Sequence, residues 1–264
     1  MALSFSRLGL FAGCPLRYRY LEVDGVPEPD VAPDWTRAPP RLSPAAVASP
    51  FDRSFGVAVH AALARWQRAV DGGASAGAPG LLSAVTAAAA HLDPERTSRA
   101  IKRLTGGLRW YAGSEWPRRA TLFLEQPVNH VLTAPDGFAV GLHLRVDRVA
   151  RFRRGVAILD FKTVTPHAFE LRADRWQLHT YALAAPGLLG VAAERVHLLL
   201  VDLQAGVEIP VGSTGEELRQ ARDELVNDAR AIAVGDFSVA GHPDRPCWSC
   251  GFRLQCPSSL APRP

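Results

Sequence analysis

The stretch Val156-Ala157-Ile158-Leu159-Asp160-Phe161-Lys162 contains an apolar run that ends in two charged residues. Four consecutive apolar residues of this kind are typical of a buried β-strand. Because side chains alternate along a strand, we expect Asp160 and Lys162 to point to the same face. A carboxylate and an ammonium side by side at the end of a buried strand are costly unless they bind something. A surface ion pair that closes a hairpin is the alternative interpretation.

Lys162 is also unusual in the composition of the chain. Of 30 Lys and Arg residues, only Lys102 and Lys162 are lysines. The guanidinium of arginine is planar and stays protonated, whereas the compact charge of lysine can be tuned by its surroundings. A lysine retained in such an arginine-rich chain therefore indicates a chemical requirement at position 162.

Composition indicates a globular protein with a mildly basic charge. The chain has 264 residues, 47% of them hydrophobic, a net charge of +4 and a pI near 9.1. This balance suits a polyanionic partner. No apolar stretch reaches the ~18 residues of a membrane helix, and the longest candidate, residues 181–193, contains Pro186 and two glycines. With no secretory signal evident, we expect a cytoplasmic protein whose cysteines are reduced or metal-bound.

Apolar periodicity predicts an α/β core. The first helix is predicted at residues 53–70, and further helices are predicted at 81–90, 95–113, 172–185 and 216–234. Strands are predicted at residues 121–131, 138–152, 156–163 and 196–203. The core order is therefore helix, three strands, helix, strand, with extra helices on its N-terminal side. Pro127 indicates an edge position or a bulge in the first strand. Seven prolines predict an irregular connector at residues 26–50.

A second acid lies in the middle strand of this core. Asp147 follows the alternating residues 141–146. A hairpin that joins residues 138–152 to 156–163 would bring Asp147 close to Asp160, and two such carboxylates repel each other unless a divalent cation lies between them. The alternative is that Asp147 pairs with Arg145 or Arg148 on an exposed face.

Two helices carry further polar candidates. His60 lies four residues after Gly56 on the first helix, and the glycine allows a close approach on the histidine side. Gln177 and Tyr181 are four residues apart, on one face of a later helix. The alternative for His60 is a half-buried structural histidine. For Gln177 and Tyr181 it is a polar helix edge with an aromatic core contact.

Together these motifs form an ordered set. Gly-x-x-x-His at 56–60, a Gly…Asp strand ending at Asp147, Asp-x-Lys at 160–162 and Gln-x-x-x-Tyr at 177–181 follow one another along the chain. Each motif alone is weak, but the set resembles the RecB-type branch of the PD-(D/E)xK nuclease superfamily over roughly residues 53–203. The resemblance implies a restriction-endonuclease-like core within a single nuclease domain, residues 1–264. Val146 stands where the family pattern has proline.

The resemblance also implies roles for these residues. Asp147 and Asp160 would be the metal carboxylates, with His60 and the Phe161 carbonyl as additional ligands for Mg²⁺ or Mn²⁺. Lys162 would position the attacking water and stabilise charge that develops on the phosphate. Gln177 and Tyr181 would help to orient the nucleic acid and the site. Glu125, on the preceding strand, is a weaker candidate for the same cavity.

The four cysteines form a second pattern. Cys14 lies near the start, and Cys247-x2-Cys250-x5-Cys256 lies near the end. Four thiols suit a [4Fe–4S] cluster or a zinc site, and the expected compartment argues against disulfides. The three-plus-one arrangement resembles the iron–sulfur staple of AddB-type nuclease domains and of the CRISPR-adaptation exonuclease family. By this resemblance, a [4Fe–4S] cluster ties the chain ends together.

The expected partner is DNA, with single-stranded ends favoured. Arginines and aromatic residues at 99–119, including Trp110 and Tyr111, would track a phosphate backbone and stack on bases. A solvated helix face is the alternative. Neither lysine follows a glycine, so the chain lacks a Walker A loop and any helicase that works with it is a separate protein.

Three functional hypotheses follow. The first is a stand-alone metal-dependent DNA exonuclease for repair or end processing. The second is the same chemistry in CRISPR spacer acquisition, although this chain is longer than we expect for that family. The third is a non-catalytic DNA-binding subunit with the same fold. The presence of His60, Asp147, Asp160 and Lys162 argues against the third.

Overall fold

The computed structural model describes residues 2–29, 50–163, 168–239 and 247–260. Most of the predicted proline-rich connector, residues 30–49, lies outside these described residues. The chain divides into two compact units. The first comprises residues 1–47, 129–144 and 222–264, and the second comprises residues 48–128 and 145–221. The assignment of residues 1–264 to a single domain stays a prediction.

The described chain alternates helices and strands. The helices are α1 (Phe5–Gly13), α2 (Pro15–Tyr18), α3 (Pro50–Asp71), α4 (Ala78–Ala88), α5 (Pro94–Gly113), α6 (Ala168–Leu189) and α7 (Gly215–Val234), with a π-helical turn at Arg19–Val23. The strands are β1 (Ala2–Ser4), β2 (Thr121–Thr133), β3 (Ala139–Phe152), β4 (Gly155–Lys162), β5 (Val196–Asp202) and β6 (Val207–Val211). Short 3₁₀ turns occupy Trp116–Arg118, Ala193–Arg195 and Cys247–Ser249. None of the described helices combines the length and the apolar character needed to span a bilayer.

The strands form a mixed sheet in the order β1-β3-β4-β5-β6, with β2 also paired to β3. The β3–β4 hairpin is antiparallel, with Arg148 opposite Leu159 and Phe152 opposite Gly155. Strand β5 runs parallel to β4, and its partner β6 is the edge strand at that end of the order. Continuing the hairpin register by one residue places Asp147 opposite Asp160, at the end of β4 where the site lies.

The core of the second unit lies between α3, α4, α5 and the sheet. Val59 and Leu63 of α3 are buried, as the helical periodicity predicts, and they belong to the same cluster as Leu104 and Leu108 of α5. Leu159 and Phe161 of β4 contribute from the sheet. These buried apolar side chains hold α3 against the strands and so fix the position of His60.

The predicted α/β class and the core order of helix, three strands, helix, strand are confirmed. Two strands were not predicted. Strand β1 has only three residues, too few to show an alternation, and β6 contains Pro210. Proline lacks an N–H for the ladder and argues against a central strand, and β6 tolerates it as an edge strand.

Candidate active site

Helix α3 approaches the end of β4 closely. A Cβ added to Gly56 would lie 3.3 Å from Thr163 Oγ1, the residue directly after Lys162. His60 lies one helical turn after Gly56 on α3, and its ring packs edge-on against Phe161, with centroids 6.4 Å apart. The close approach anticipated from Gly56 therefore occurs at the end of the strand that carries Asp160 and Lys162.

Asp147 is buried and makes contacts on both sides. Its Oδ2 accepts a 2.8 Å hydrogen bond from the backbone N–H of Phe161, and its Oδ1 lies 3.2 Å from His60 Nδ1. Only 8% of the residue is exposed. The alternative of an exposed Asp147–arginine pair is not what the structure shows. Arg148 is fully buried and donates to the Tyr111 hydroxyl, and Arg145 pairs with Glu125.

Glu125 completes a group of three potential metal ligands. Its carboxylate lies 3.6 Å from His60 Nδ1, and one ligand atom each of His60, Glu125 and Asp147 lies within 4.8 Å of the others. Glu125 has a φ of 51°, a left-handed conformation two residues before Pro127. Such a conformation is costly for a residue other than glycine and is often found at functional sites. The sequence ranked Glu125 as a weaker candidate, whereas the structure places it in the group.

Asp160 and Lys162 point to the same face, as their spacing predicts. Lys162 Nζ lies 2.8 Å from Asp160 Oδ2 and 2.7 Å from Asp174 Oδ1 on α6. The Asp160 side chain is only 3% exposed, so this is not the surface ion pair considered as the alternative. Sequence reasoning missed Asp174. The signal that could have found it is its position three residues before Gln177, on the same helical face.

Burial and crowding shift the pKa values of these groups. Burial raises the pKa of Asp160 to about 6, against the attraction of Lys162, and the nearby Asp147 charge adds to the increase. Burial opposes the charge on Lys162, but Asp160 and Asp174 outweigh it and raise the lysine pKa above its ordinary value. Burial likewise opposes protonation of His60, yet Asp147 and Glu125 raise its pKa to about 10. Carboxylates thus dominate the local field, which favours a cation.

Gln177 and Tyr181 connect α6 to β3. Gln177 Nε2 donates to the Tyr181 hydroxyl over 2.7 Å, and that hydroxyl donates in turn to the backbone carbonyl of Arg145. Tyr181 is 2% exposed, and burial and Asp160 raise its pKa. These contacts support β3 two residues before Asp147. The predicted role of both residues in orienting nucleic acid stays a prediction.

Phe161 contributes to the site through its backbone. Its side chain is buried in the core, and its N–H holds Asp147. The ligand role of its carbonyl oxygen stays a prediction.

Comparison with known proteins agrees with this geometry. The sequence matches the PD-(D/E)XK nuclease superfamily over residues 2–257. The chain belongs to this superfamily. A search of curated proteins found no match. Among solved structures, the crystal structure of SSO0001 has 14% identity and a TM-score of 0.44, and the match covers 98% of this chain and 88% of that one.

The donor set of this nuclease fits a divalent cation. His60, Glu125 and Asp147 supply one nitrogen and two carboxylate donors within 4.8 Å. Carboxylates suit Mg²⁺ and Mn²⁺, and an imidazole suits transition metals. Superfamily membership therefore implies metal-dependent nuclease chemistry with DNA as the substrate. These three residues are the ones that would hold the ion, and the role of Asp160 as a further metal carboxylate stays a prediction.

The four cysteines lie together in the first unit. All are at most 9% exposed, none is in a disulfide, and they line one cavity with Arg17, Tyr20 and Phe252. Burial raises the pKa of the Cys250 thiol to about 11.

The prediction that Tyr111 belongs to a DNA-binding surface is wrong. Tyr111 is 1% exposed, and its hydroxyl accepts from the buried Arg148, so it does not stack on a base. Its position in the apolar seam of α5 explains this burial. Arg99 and Arg119 pair with acidic residues one turn earlier, Glu95 and Glu115. Trp110 is only partly buried, and its contact with DNA stays a prediction.

Proposed function

We propose that this nuclease is a metal-dependent DNA exonuclease that acts on single-stranded ends in DNA repair or end processing, and that it is of the RecB/AddB-like type. The observation that carries the proposal is the convergence of His60, Glu125 and Asp147 next to the Asp160–Lys162 pair. A non-catalytic subunit has no need to keep these charged groups buried together, because their burial is costly.

The residues divide the work of phosphodiester hydrolysis. His60, Glu125, Asp147 and Asp160 would hold the cation, which would neutralise the phosphate and lower the pKa of a bound water. A His60 ligand would bind through a neutral ring nitrogen, because a protonated imidazole has no lone pair for the ion. The ammonium of Lys162 donates to the attacking water or to the phosphate oxygen on which charge builds. Asp147 is fixed by the Phe161 N–H and therefore needs little reorganisation.

The exonuclease mode is tested on three substrates. End-labelled single strands, end-labelled duplex and closed circular duplex are incubated with the protein and Mn²⁺ or Mg²⁺. We expect stepwise shortening of the single strand, slow attack on duplex ends and an intact circle. Efficient cutting of the circle would overturn the exonuclease assignment. Because a duplex lacks single-stranded tails, activity on long duplex would depend on a separate helicase.

We propose that the cysteine site binds an iron–sulfur cluster, with zinc as the competing metal. The three-plus-one spacing of Cys14, Cys247, Cys250 and Cys256 and the shared, largely apolar cavity that they line support a [4Fe–4S] cluster bound by these four residues.

The cluster is tested by composition. After anaerobic purification, we expect about four iron and four sulfide per chain and a brown colour. Stoichiometric zinc without iron would overturn the cluster proposal and leave the nuclease proposal standing.

A further inference from the structure

The ammonium of Lys162 is held from two sides. Asp160 Oδ2 lies 2.8 Å away on the same strand, and Asp174 Oδ1 lies 2.7 Å away on α6. The Asp174 side chain is 13% exposed and that of Lys162 is 24% exposed. An ammonium has three donors, so two carboxylates leave one N–H for a water or a phosphate oxygen.

The two carboxylates have different further roles. Asp160 lies opposite Asp147 in the hairpin and is one of the residues proposed to hold the cation, so its charge would be shared between the ion and Lys162. Asp174 is not in the His60–Glu125–Asp147 group and projects from α6. Lys162 therefore has one partner in the metal site and one outside it.

Asp174 lies on a helical face that already supports the site. Asp174, Gln177 and Tyr181 are spaced at i, i+3 and i+7 and share one face of α6. Gln177 donates to the Tyr181 hydroxyl, which donates to the carbonyl of Arg145 on β3, and Asp174 binds Lys162 at the end of β4. One helix thus supports both strands of the hairpin near their functional residues.

We infer that Asp174 is a positioning residue for the nuclease reaction, which keeps the Lys162 ammonium directed at the scissile phosphate when Asp160 is engaged with the cation. This inference rests on the proposed nuclease function of the same site. Asp174 acts through Lys162 and contacts neither the substrate nor the ion. Its loss therefore lowers turnover and leaves the binding of DNA and metal nearly unchanged.

The kinetic test compares Asp174→Asn, Asp174→Glu and Asp174→Ala with the unmodified protein at saturating Mn²⁺. A misplaced ammonium costs about ten- to a hundredfold in kcat. We expect that loss of kcat in Asp174→Asn and Asp174→Ala. The KM for single-stranded DNA and the Kd for Mn²⁺ should stay within about twofold of the unmodified protein. Asp174→Glu should recover part of the kcat, because the negative charge is retained. The matched control is Asp223→Asn, which removes an exposed aspartate paired with Arg222 on α7. It should behave like the unmodified protein.

A second measurement does not depend on cleavage. The chain has only two lysines, so mass spectrometry after mild acetylation reports Lys162 against the exposed Lys102 as an internal reference. We expect Lys162 to react more slowly than Lys102 in the unmodified protein and several-fold faster in Asp174→Asn. If the unmodified protein cleaves no DNA but the reactivity changes as expected, the proposed function fails and the contact itself stands.

Three results would overturn the inference. They are an Asp174→Asn variant with unmodified kcat and Lys162 reactivity, a loss of turnover that follows the loss of folded protein in thermal melts, and an Asp174→Ala variant with raised kcat. The last would mean that Asp174 restrains Lys162 instead of positioning it.

Discussion

The carboxylate–histidine site and the cysteine site contain buried groups that are held in different ways. His60, Asp147 and Lys162 lie on a helix and two strands, and each has a charged or hydrogen-bonded partner within about 3.2 Å. Cys14 separates two helices, and the other three cysteines lie in a 3₁₀ turn and the turns after it. The first site is organised by regular elements of one unit, whereas the second joins segments of the other unit that lie more than two hundred residues apart in sequence.

Because of this difference, we expect the two sites to respond differently when the proposed metal group of each is lost. The carboxylate–histidine site already has two candidate ligands in place, because packing of α3 positions His60 and the hairpin register positions Asp147. The cysteine site has buried thiols, one of which has a pKa raised to about 11, and their lining is largely apolar. If both proposed groups are bound, loss of the cation should stop chemistry without unfolding, and loss of the cluster should weaken the fold first.

The largest expected effect tests the catalytic half of this comparison. Asp160→Ala or Lys162→Ala should lower cleavage by about a thousandfold, because the first removes a proposed metal carboxylate and the second removes the ammonium proposed to stabilise charge on the phosphate. The control is Lys102→Ala, the other lysine, exposed on α5. Cleavage of end-labelled single strands and circular dichroism measure activity and fold. A folded variant with unmodified cleavage would remove its residue from the active site.

The next effect concerns the metal ligands. Glu125→Gln should raise the Mn²⁺ concentration that gives half-maximal cleavage. Loss of a residue that only supports a metal ligand costs about ten- to a hundredfold in metal affinity, so we expect an increase of at least that size. Glu125 also pairs with Arg145, whose side chain is 69% exposed. Arg145→Met therefore serves as the control, since it breaks the pair and keeps the ligand. An equal increase in the Mn²⁺ requirement of both variants would show that the ion pair matters and the ligand does not, and no increase in Glu125→Gln would remove Glu125 from the metal site.

The sequence predicted the parts of this site that follow regular periodicities. The period of α3 gave its buried face, and the period-two pattern of β3 and β4 indicated that Asp147 and Asp160 would be neighbours. It ranked Glu125 as a weaker candidate, and the φ of 51° at this residue is a departure from regular strand geometry that no periodicity reveals. It missed Asp174 because that contact depends on how α6 packs against β4, which no local pattern encodes. Tyr111 was assigned to the surface from its type, although its helical position places it in the core.

The cysteine half of the comparison predicts an effect on stability. Cys250→Ser should bleach the protein and lower its melting temperature by roughly 10 °C, since a long-range link stabilises by about 4 kcal/mol. Cleavage should fall only as far as the folded fraction falls. Leu254→Ser, at an exposed residue of the same turn region, is the control. An unchanged melting curve would show that the cluster does not staple the fold, and lost cleavage in fully folded protein would give it a part in the reaction.

The smallest effect concerns the contact between α3 and the end of β4. Gly56→Ala adds a methyl 3.3 Å from Thr163 Oγ1, so Thr163 must move by a few tenths of an ångström. Alanine also favours the helix by about 1 kcal/mol over glycine, which offsets the contact and leaves the melting temperature within a few degrees. We expect kcat to fall about two- to fivefold, since the shift reaches the residue next to Lys162.

Gly106→Ala on α5 is the matched control, because nothing lies within 4 Å of its added Cβ. It should raise the melting temperature by about 2–4 °C and leave kcat unchanged. If Gly56→Ala behaves like Gly106→Ala in both measurements, the close approach of α3 has no part in placing the lysine.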